Sequence, residues 1–311
     1  MKNRIAVGLI GLGTVGTGVA KVLSANAALI RQRLGVPLEL VKVADLDLTT
    51  DRGLTLPSGI LTSNAREVID DPKIDIVIEL IGGYDPAKRF LLDAIAKGKS
   101  VVTANKALLA VHGEELFQAA ARAKVDIGFE ASVGGGIPIL RALTEGLAAN
   151  RILSLYGIVN GTSNYILTRM TEAGHSFEEV LAEAQKAGYA EADPTFDIAG
   201  TDAAHKLAIL MNLAFGTPIN FKDIYVEGIT GIAPMDIAYA TEFGYTIKLL
   251  AIAKLHEGRD GREAPAELEA RVHPTMIAND APIARVGGVY NAIQVTGDAV
   301  GDIMLYGRGA G

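Results

Sequence analysis

A chain of 311 residues, 49% of them apolar, has room for two domains with sizeable cores and does not have the composition of a disordered segment. A net charge of −7 without any Lys/Arg cluster argues against a nucleic-acid partner, and no apolar run is long enough for a membrane span. With no cysteine there are no disulfides, thiolate metal sites or cysteine nucleophiles, and a reducing compartment is the expectation.

The first 27 residues imitate a secretory signal, with a basic start, an apolar stretch and Ala25–Asn26–Ala27 as the cleavage site. Gly8, Gly11, Gly13, Gly16 and Gly18 interrupt that stretch, and their spacing has another reading. Arg4 to Ile10 reads as a short buried strand, and a helical pattern runs from Thr17 to Ile30. Between them lies Gly11–Leu12–Gly13–Thr14–Val15–Gly16, a G-x-G-x-x-G in the strand–turn–helix setting that binds a dinucleotide pyrophosphate. Gly11 permits the tight turn, Gly13 lets backbone approach phosphate, and Gly16 lets the helix pack on the sheet.

Leu38–Ala44 is the second strand, followed by Asp45 and Asp47. A carboxylate there takes the adenosine ribose hydroxyls and repels a 2′-phosphate, which favours NAD over NADP; the alternative is a turn residue. The gap from the glycines to Asp45 is longer than usual and implies an insertion around Ser24–Gly35. Asp75–Leu80 and Ser100–Thr103 are further buried strands around a helix at Pro86–Lys97, and this alternation predicts a doubly wound parallel sheet. Ligands of such sheets lie beyond the carboxyl ends of the strands, where Lys106 follows Ser100–Thr103. Val125–Glu130 is the next strand. It leads into Gly134–Gly135–Gly136 and Pro138, a tight loop whose carbonyls, with Glu130, suit a hard cation or simply form an interdomain hinge.

From Ile152 the pattern changes. Strands at Ile152–Val159, Ile224–Ile229, Thr246–Lys254, Ala270–Pro274, Gly288–Val295 and Asp302–Tyr306 are only partly separated by helices at Tyr165–Met170, Phe177–Gly188 and Met235–Phe243. Such an order predicts a second domain with an antiparallel or mixed sheet.

The most informative stretch is Gly188–Leu210. An acidic loop carrying Glu191, Asp193 and Asp197 enters an apolar helix capped near Gly200 and Thr201. Within that helix Asp202 and Lys206 stand four apart and share a face. Most such pairs are solvated surface ion pairs, but a helix this poor in other polar residues is buried, and buried charges are paired or used. The combination describes a pocket for a small cationic polar molecule. Beside a dinucleotide site it points to hydride transfer between an alcohol and a carbonyl, with a lysine as proton acceptor. Lys106 and Lys206, if they share the pocket, lower one another's pKa. His205 is a competing base, but as Lys206's neighbour it points roughly 100° away around the helix.

The segments GLIGLGTVGTGVA, VVTANKALLA, EASVGGGIPILRAL, GIVNGTSNYILTRM, GYAEADPTFDIAGTDAAHKLAIL and LYGRGAG together resemble homoserine dehydrogenase, over nearly the whole chain. The resemblance implies reversible NAD(P)-dependent interconversion of L-homoserine and L-aspartate 4-semialdehyde, in threonine, methionine and isoleucine synthesis. It implies a Rossmann-type α/β nucleotide domain over 1–134, with 298–311 returning to it, and an α+β substrate and dimerisation domain over 135–297. Lys206 becomes the proton-transfer lysine, with Asp202, Glu191 and Asp197 holding the substrate and Lys106 near the cofactor and reacting oxygen. Cofactor contacts fall on Leu12–Val15. A sodium-type ion is expected on the Glu130 carboxylate and the carbonyls of Val133, Gly135 and Ile137. A cytoplasmic homodimer without nucleic-acid or membrane partners completes the expectation.

Two departures stand out. Ala44 occupies a position where many members carry Arg or Lys for a 2′-phosphate, and the sequence ends within the family's GAG motif at Gly309–Ala310–Gly311, as expected of a piece of a longer product. The competing readings are another cysteine-free Rossmann oxidoreductase acting on a different amino alcohol or hydroxy acid, and a catalytically inert module that senses nicotinamide nucleotides.

Overall fold

The structure is a computed structural model and describes residues 2–217, 219–256 and 267–309. It divides into two compact units between Phe129 and Glu130.

In the first unit every connection between strands crosses over, through helices except across residues 45–60, which make the crossing without one, so the sheet is parallel. In chain order the elements are β1 (Ile5–Ile10), α1 (Thr14–Ala25), α2 (Ala27–Leu34), β2 (Leu38–Ala44), β3 (Leu61–Thr62), α3 (Arg66–Ile69), β4 (Ile76–Glu79), α4 (Ala87–Ala96), β5 (Ser100–Thr103), α5 (Lys106–Ala123) and β6 (Ile127–Gly128). The strand order is β3-β2-β1-β4-β5-β6, all parallel. The order reverses at β1, which places the ligand crevice of such sheets at the carboxyl ends of β1 and its neighbours. Val7, Leu9, Leu12, Ala20, Val43 and Ile78 form the core beneath it.

The helical pattern predicted over 17–30 is two helices. It breaks at Asn26, whose backbone leaves helical values and whose N–H still returns to Val22. The insertion expected around Ser24–Gly35 is therefore mostly α2, a helix with no fully buried residue that ends on a left-handed Gly35. The predicted strand at Val125–Glu130 pairs only over Ile127–Gly128, because Glu130 already turns into a 3-10 segment.

The second unit contains α6 (Ile139–Arg141), which runs into a π turn at Ala142–Gly146, then β7 (Ile152–Ile158), α7 (Gly161–Ala173), α8 (Phe177–Lys186), α9 (Thr195–Ile198), α10 (Thr201–Phe215), β8 (Tyr225–Val226), α11 (Pro234–Glu242), β9 (Tyr245–His256), β10 (Glu267–Ala278), β11 (Tyr290–Gly297) and β12 (Gly301–Arg308). Its sheet runs β12-β11-β7-β9-β10-β8 and is mixed: only β8 lies parallel to its neighbour. α7, α10 and α11 pack against β9, and Leu250 and Ile252 of that strand join Ile158, Ile283 and Val286 in a core cluster.

The stretch 298–311 was expected back on the nucleotide unit. Its residues 301–308 instead pair with β11 along their whole length, from Tyr290 opposite Arg308 to Gly297 opposite Gly301. A turn of three residues makes that hairpin the short path. Ala310 and Gly311, the end of the GAG motif, lie outside the described residues. Among the described residues no helix is long and apolar enough to cross a membrane.

Candidate active site

The glycines of the first unit divide their work as the motif requires. Gly11 sits at φ +98°, and a Cβ there would stand 2.7 Å from the Leu80 carbonyl. A Cβ on Gly16 would stand 2.0 Å from the Gly11 oxygen, so this glycine seats α1 on the turn. Gly13 differs: a Cβ there meets nothing within 4 Å. Gly13 is the N-cap of α1 and gives no side-chain cap, so the helix's first N–H groups carry positive potential without a resident acceptor from the cap. Thr14 and Val15 are exposed at the same end, while Leu12 is buried. The residues present fit a dinucleotide pyrophosphate.

Asp45, expected at the ribose, also has partners within the protein. Its carboxylate accepts the Leu12 N–H and, at 2.8 Å, the Asp47 N–H. The Arg52 guanidinium stands 3.5 Å from Asp45 and 3.3 Å from Asp47. Asp45 thus braces the glycine turn from the end of β2, with lone pairs remaining for a further donor. A cleft of about 700 Å³ opens here, with Gly11, Gly13, Ala44 and Asp45 on one side and Asn64, Arg66, Ile81 and Arg89 among its other lining residues. Lys106 is the first residue of α5, half-buried, directly after the N-cap Asn105.

In the second unit the acidic loop and the apolar helix come together as a charged cluster. Gly200 enters α10 in the left-handed region at φ +82°, against Val226 and Val272, where a side chain would be strained. Asp202 then falls in the first turn of α10, where the helix dipole favours a carboxylate. Its side chain is 2% exposed and that of Lys206 is 13% exposed. Lys206 Nζ donates to Asp202 Oδ2 at 2.6 Å and to the Val159 carbonyl at 2.7 Å. Ala203, Ala204, Leu207, Leu210 and Met211 bury the rest of the helix.

Asn160, just after β7, completes the cluster. Its amide nitrogen donates to Asp197 Oδ1 at 2.7 Å and to Asp202 Oδ2 at 2.8 Å, while its oxygen accepts the Ser163 N–H and caps α7. Both N–H donors and the carbonyl oxygen of that amide are engaged, and the residue is 6% exposed. The pattern Asn-Gly-Thr-Ser-Asn signals a cap, but nothing local shows that the cap also spans two carboxylates. Two carboxylates against one ammonium leave the cluster with a surplus negative charge, suited to a cationic ligand.

The remaining predicted residues take other places. Glu191 is exposed, tied in through its carbonyl, which accepts Gln185 Nε2 at 3.1 Å. Asp193 caps Thr195, whose hydroxyl and N–H hold its carboxyl below the usual range. His205 is buried between Phe196 and Phe221, ring centroids 5.3 and 4.2 Å away, consistent with its pointing away from Lys206. The Glu130 carboxylate accepts the Leu140 N–H at 2.9 Å and the Arg141 N–H at 3.0 Å, ordering the start of α6. Val133 and Ile137 are buried in the loop between, where Gly134 and Gly135 take φ of +70° and +53°. Among the described residues no group of three or more His, Cys, Asp or Glu forms a metal centre.

Comparison with known proteins gives the family. The profile of the homoserine dehydrogenase NAD-binding domain matches residues 11–130, and that of homoserine dehydrogenase matches 138–311. The homoserine dehydrogenase of Pseudomonas aeruginosa is 50% identical over 309 residues, covering 99% of this chain and 68% of the relative. That of Bacillus subtilis is 48% identical over 307 residues, covering 99% and 69%. Among solved structures, a homoserine dehydrogenase from Thiobacillus denitrificans superposes with a TM-score of 0.92 at 52% identity, covering 99% of this chain and 69% of that one. A hyperthermophilic archaeal homoserine dehydrogenase mutant in complex with NADPH gives 0.81 at 26% identity, covering 99% and 92%. With both halves matched and identities near one half across almost its full length, the chain belongs to the homoserine dehydrogenase family.

Proposed function

We propose that Lys206 moves the proton in the reaction of this family, the reversible NAD(P)-dependent oxidation of L-homoserine to L-aspartate 4-semialdehyde. The observation that carries the reading is the Lys206–Asp202 pair, held inside an apolar helix and fixed from a second direction by the Val159 carbonyl. Two of the three donor directions of the ammonium are thereby set, and the third can meet a substrate oxygen. Asp202 orients the amine and, with Asp197, offers carboxylate to the ammonium of homoserine, to which Glu191, on the exposed loop outside this cluster, would add its own. In oxidation the neutral Lys206 amine, its lone pair in that third direction, accepts the hydroxyl proton; in reduction the ammonium returns that proton to the aldehyde oxygen. A bound nicotinamide supplies the hydride acceptor, or donor in the reverse direction. Thr14 and Val15 would hold the pyrophosphate by backbone N–H at the start of α1, with Gly11, Gly13 and Gly16 shaping the turn and Leu12, whose N–H is taken by Asp45, fixing it from beneath. Lys106 would serve the coenzyme side of the reaction.

NAD is favoured over NADP, because Asp45 ends β2 and Ala44 offers no cation for a 2′-phosphate. A sodium ion would be held by the Glu130 carboxylate and the carbonyls of Val133, Gly135 and Ile137, an oxygen-only set of the kind hard cations take. A homodimer built on the second unit's sheet, whose edge strand β12 leaves Met304 and Tyr306 exposed, and a cytoplasmic setting complete the reading.

Steady-state kinetics with homoserine and each coenzyme test it. Lys206→Ala should lower kcat by at least about 10²-fold, the scale of a lost general base, with coenzyme affinity retained. Wild-type chain that binds NADH or NADPH but never oxidises homoserine would overturn the reading.

A further inference from the structure

Glu79 is a charged residue with no exposed surface at the carboxyl end of β4, beside the glycine turn. Its Oε1 accepts the N–H groups of Ile81 at 2.8 Å and Gly82 at 3.2 Å. Its Oε2 accepts the Thr103 hydroxyl at 2.7 Å. Thr103 Oγ1 in turn accepts the Asn105 N–H at 3.0 Å. Asn105 closes the circuit, donating from Nδ2 to the Gly83 carbonyl at 2.6 Å while its oxygen accepts the Leu108 N–H and caps α5. The circuit joins the ends of β4 and β5 through one carboxylate, and Lys106 is the residue after its last member.

Burying a carboxylate is costly, and neighbouring positions of the strand are filled by Val77 and Ile78 without that cost. What the carboxylate supplies is acceptor capacity for the Ile81 and Gly82 N–H groups of the turn. Gly82 and Gly83 take φ of +74° and +70°, aiming successive N–H groups inward. Ile81 and Gly82 also line the coenzyme cleft, and the Leu80 backbone bears on Gly11. The same side chain therefore governs the floor of that cleft and the start of the helix that begins with Lys106.

We propose that Glu79 is a positioning residue for coenzyme, acting through the 80–83 turn and through Thr103 and Asn105 on Lys106. The proposal rests on the dehydrogenase reading above only for the reaction it serves. An amide at 79 keeps one oxygen for the Ile81 and Gly82 N–H groups but presents its NH2 to Thr103, which must then accept twice and lose the acceptor for its own proton. Thr103→Val removes the same link from the other side.

The test measures NADH and NADPH dissociation constants by fluorescence titration, together with kcat and both KM values, for wild type, Glu79→Gln, Thr103→Val and the double variant. Each single variant should weaken coenzyme binding about tenfold, the scale of one lost charge-assisted hydrogen bond, and leave the homoserine KM within about twofold. The double variant should resemble either single one, because both cut one circuit. Wild-type coenzyme dissociation constants in folded variants, whatever their melting temperature, would overturn the proposal, and Thr103→Val keeps it testable if Glu79→Gln does not fold. Coenzyme affinity that depends on Glu79 in a chain that never oxidises homoserine would support the proposal while sinking the reaction reading.

Discussion

Asn160 and Asp202 share a 2.8 Å hydrogen bond that ties the cap of α7 to the first turn of α10. The same amide nitrogen holds Asp197, so one uncharged residue keeps two carboxylates together beside Lys206. Removing it leaves two acceptors short of a donor and α7 without its cap. Asn160→Ala should therefore cost at least about 3 kcal/mol of stability in urea melts, summing a lost cap and two lost bonds to charge. Asn160→Asp should be worse for function, since a third carboxylate replaces the bridging donor: kcat/KM for homoserine should fall at least about 10²-fold, with coenzyme affinity unchanged.

Gly13 and Gly16 make opposite predictions from one motif. Nothing stands within 4 Å of a Cβ on Gly13, so Gly13→Ala should alter stability by less than about 1 kcal/mol while weakening coenzyme about tenfold or more by blocking backbone approach. A Cβ on Gly16 would lie 2.0 Å from the Gly11 oxygen, so Gly16→Ala should destabilise the first unit by about 1–3 kcal/mol. Calorimetry and coenzyme titration on the same preparations separate the two. Equal loss of melting temperature in both variants would contradict the division of labour.

Lys248 carries a pH dependence. The residue is 3% exposed, and its ammonium donates to the Val286 carbonyl at 2.7 Å and to Asn164 at 3.2 Å. Burial pushes its pKa down from 10.5 to about 8, only partly opposed by Glu172. The folded state then holds fewer protons than the unfolded chain between those values, so stability rises with pH across that window and is lost as pH falls through about 8. The gain amounts to about 3 kcal/mol by linkage. Lys248→Met should flatten this limb when unfolding free energies are compared from pH 7 to 11; parallel curves would show that Lys248 titrates normally.

Cation dependence tests Glu130. Its oxygens each accept one backbone N–H at the start of α6, so Glu130→Gln exchanges one acceptor for a donor at Leu140 or Arg141. Replacing sodium by a bulky organic cation should reduce wild-type turnover several-fold, and the variant should lose that sensitivity. A wild type indifferent to the cation would remove the ion from the proposed function.

Much of this protein was legible in the residues because the relevant forces are local. β1, the glycine turn and the start of a helix follow from β-branched residues, three glycines and their spacing, and β2 and β5 have the predicted bounds. Spacing alone put Asp202 and Lys206 on one face, and the apolar residues around them turned that face inward. What pairs across the chain was decided by tertiary structure. The local pattern of β12 does not reveal that it lies beside β11, that of Asn160 does not show the two carboxylates lying 37 and 42 residues away, and that of Glu79 does not show its partner Thr103. A carboxylate or an amide gains its role from the donors and acceptors that reach it, and only the folded sheet and the packed helices bring those groups within hydrogen-bonding distance.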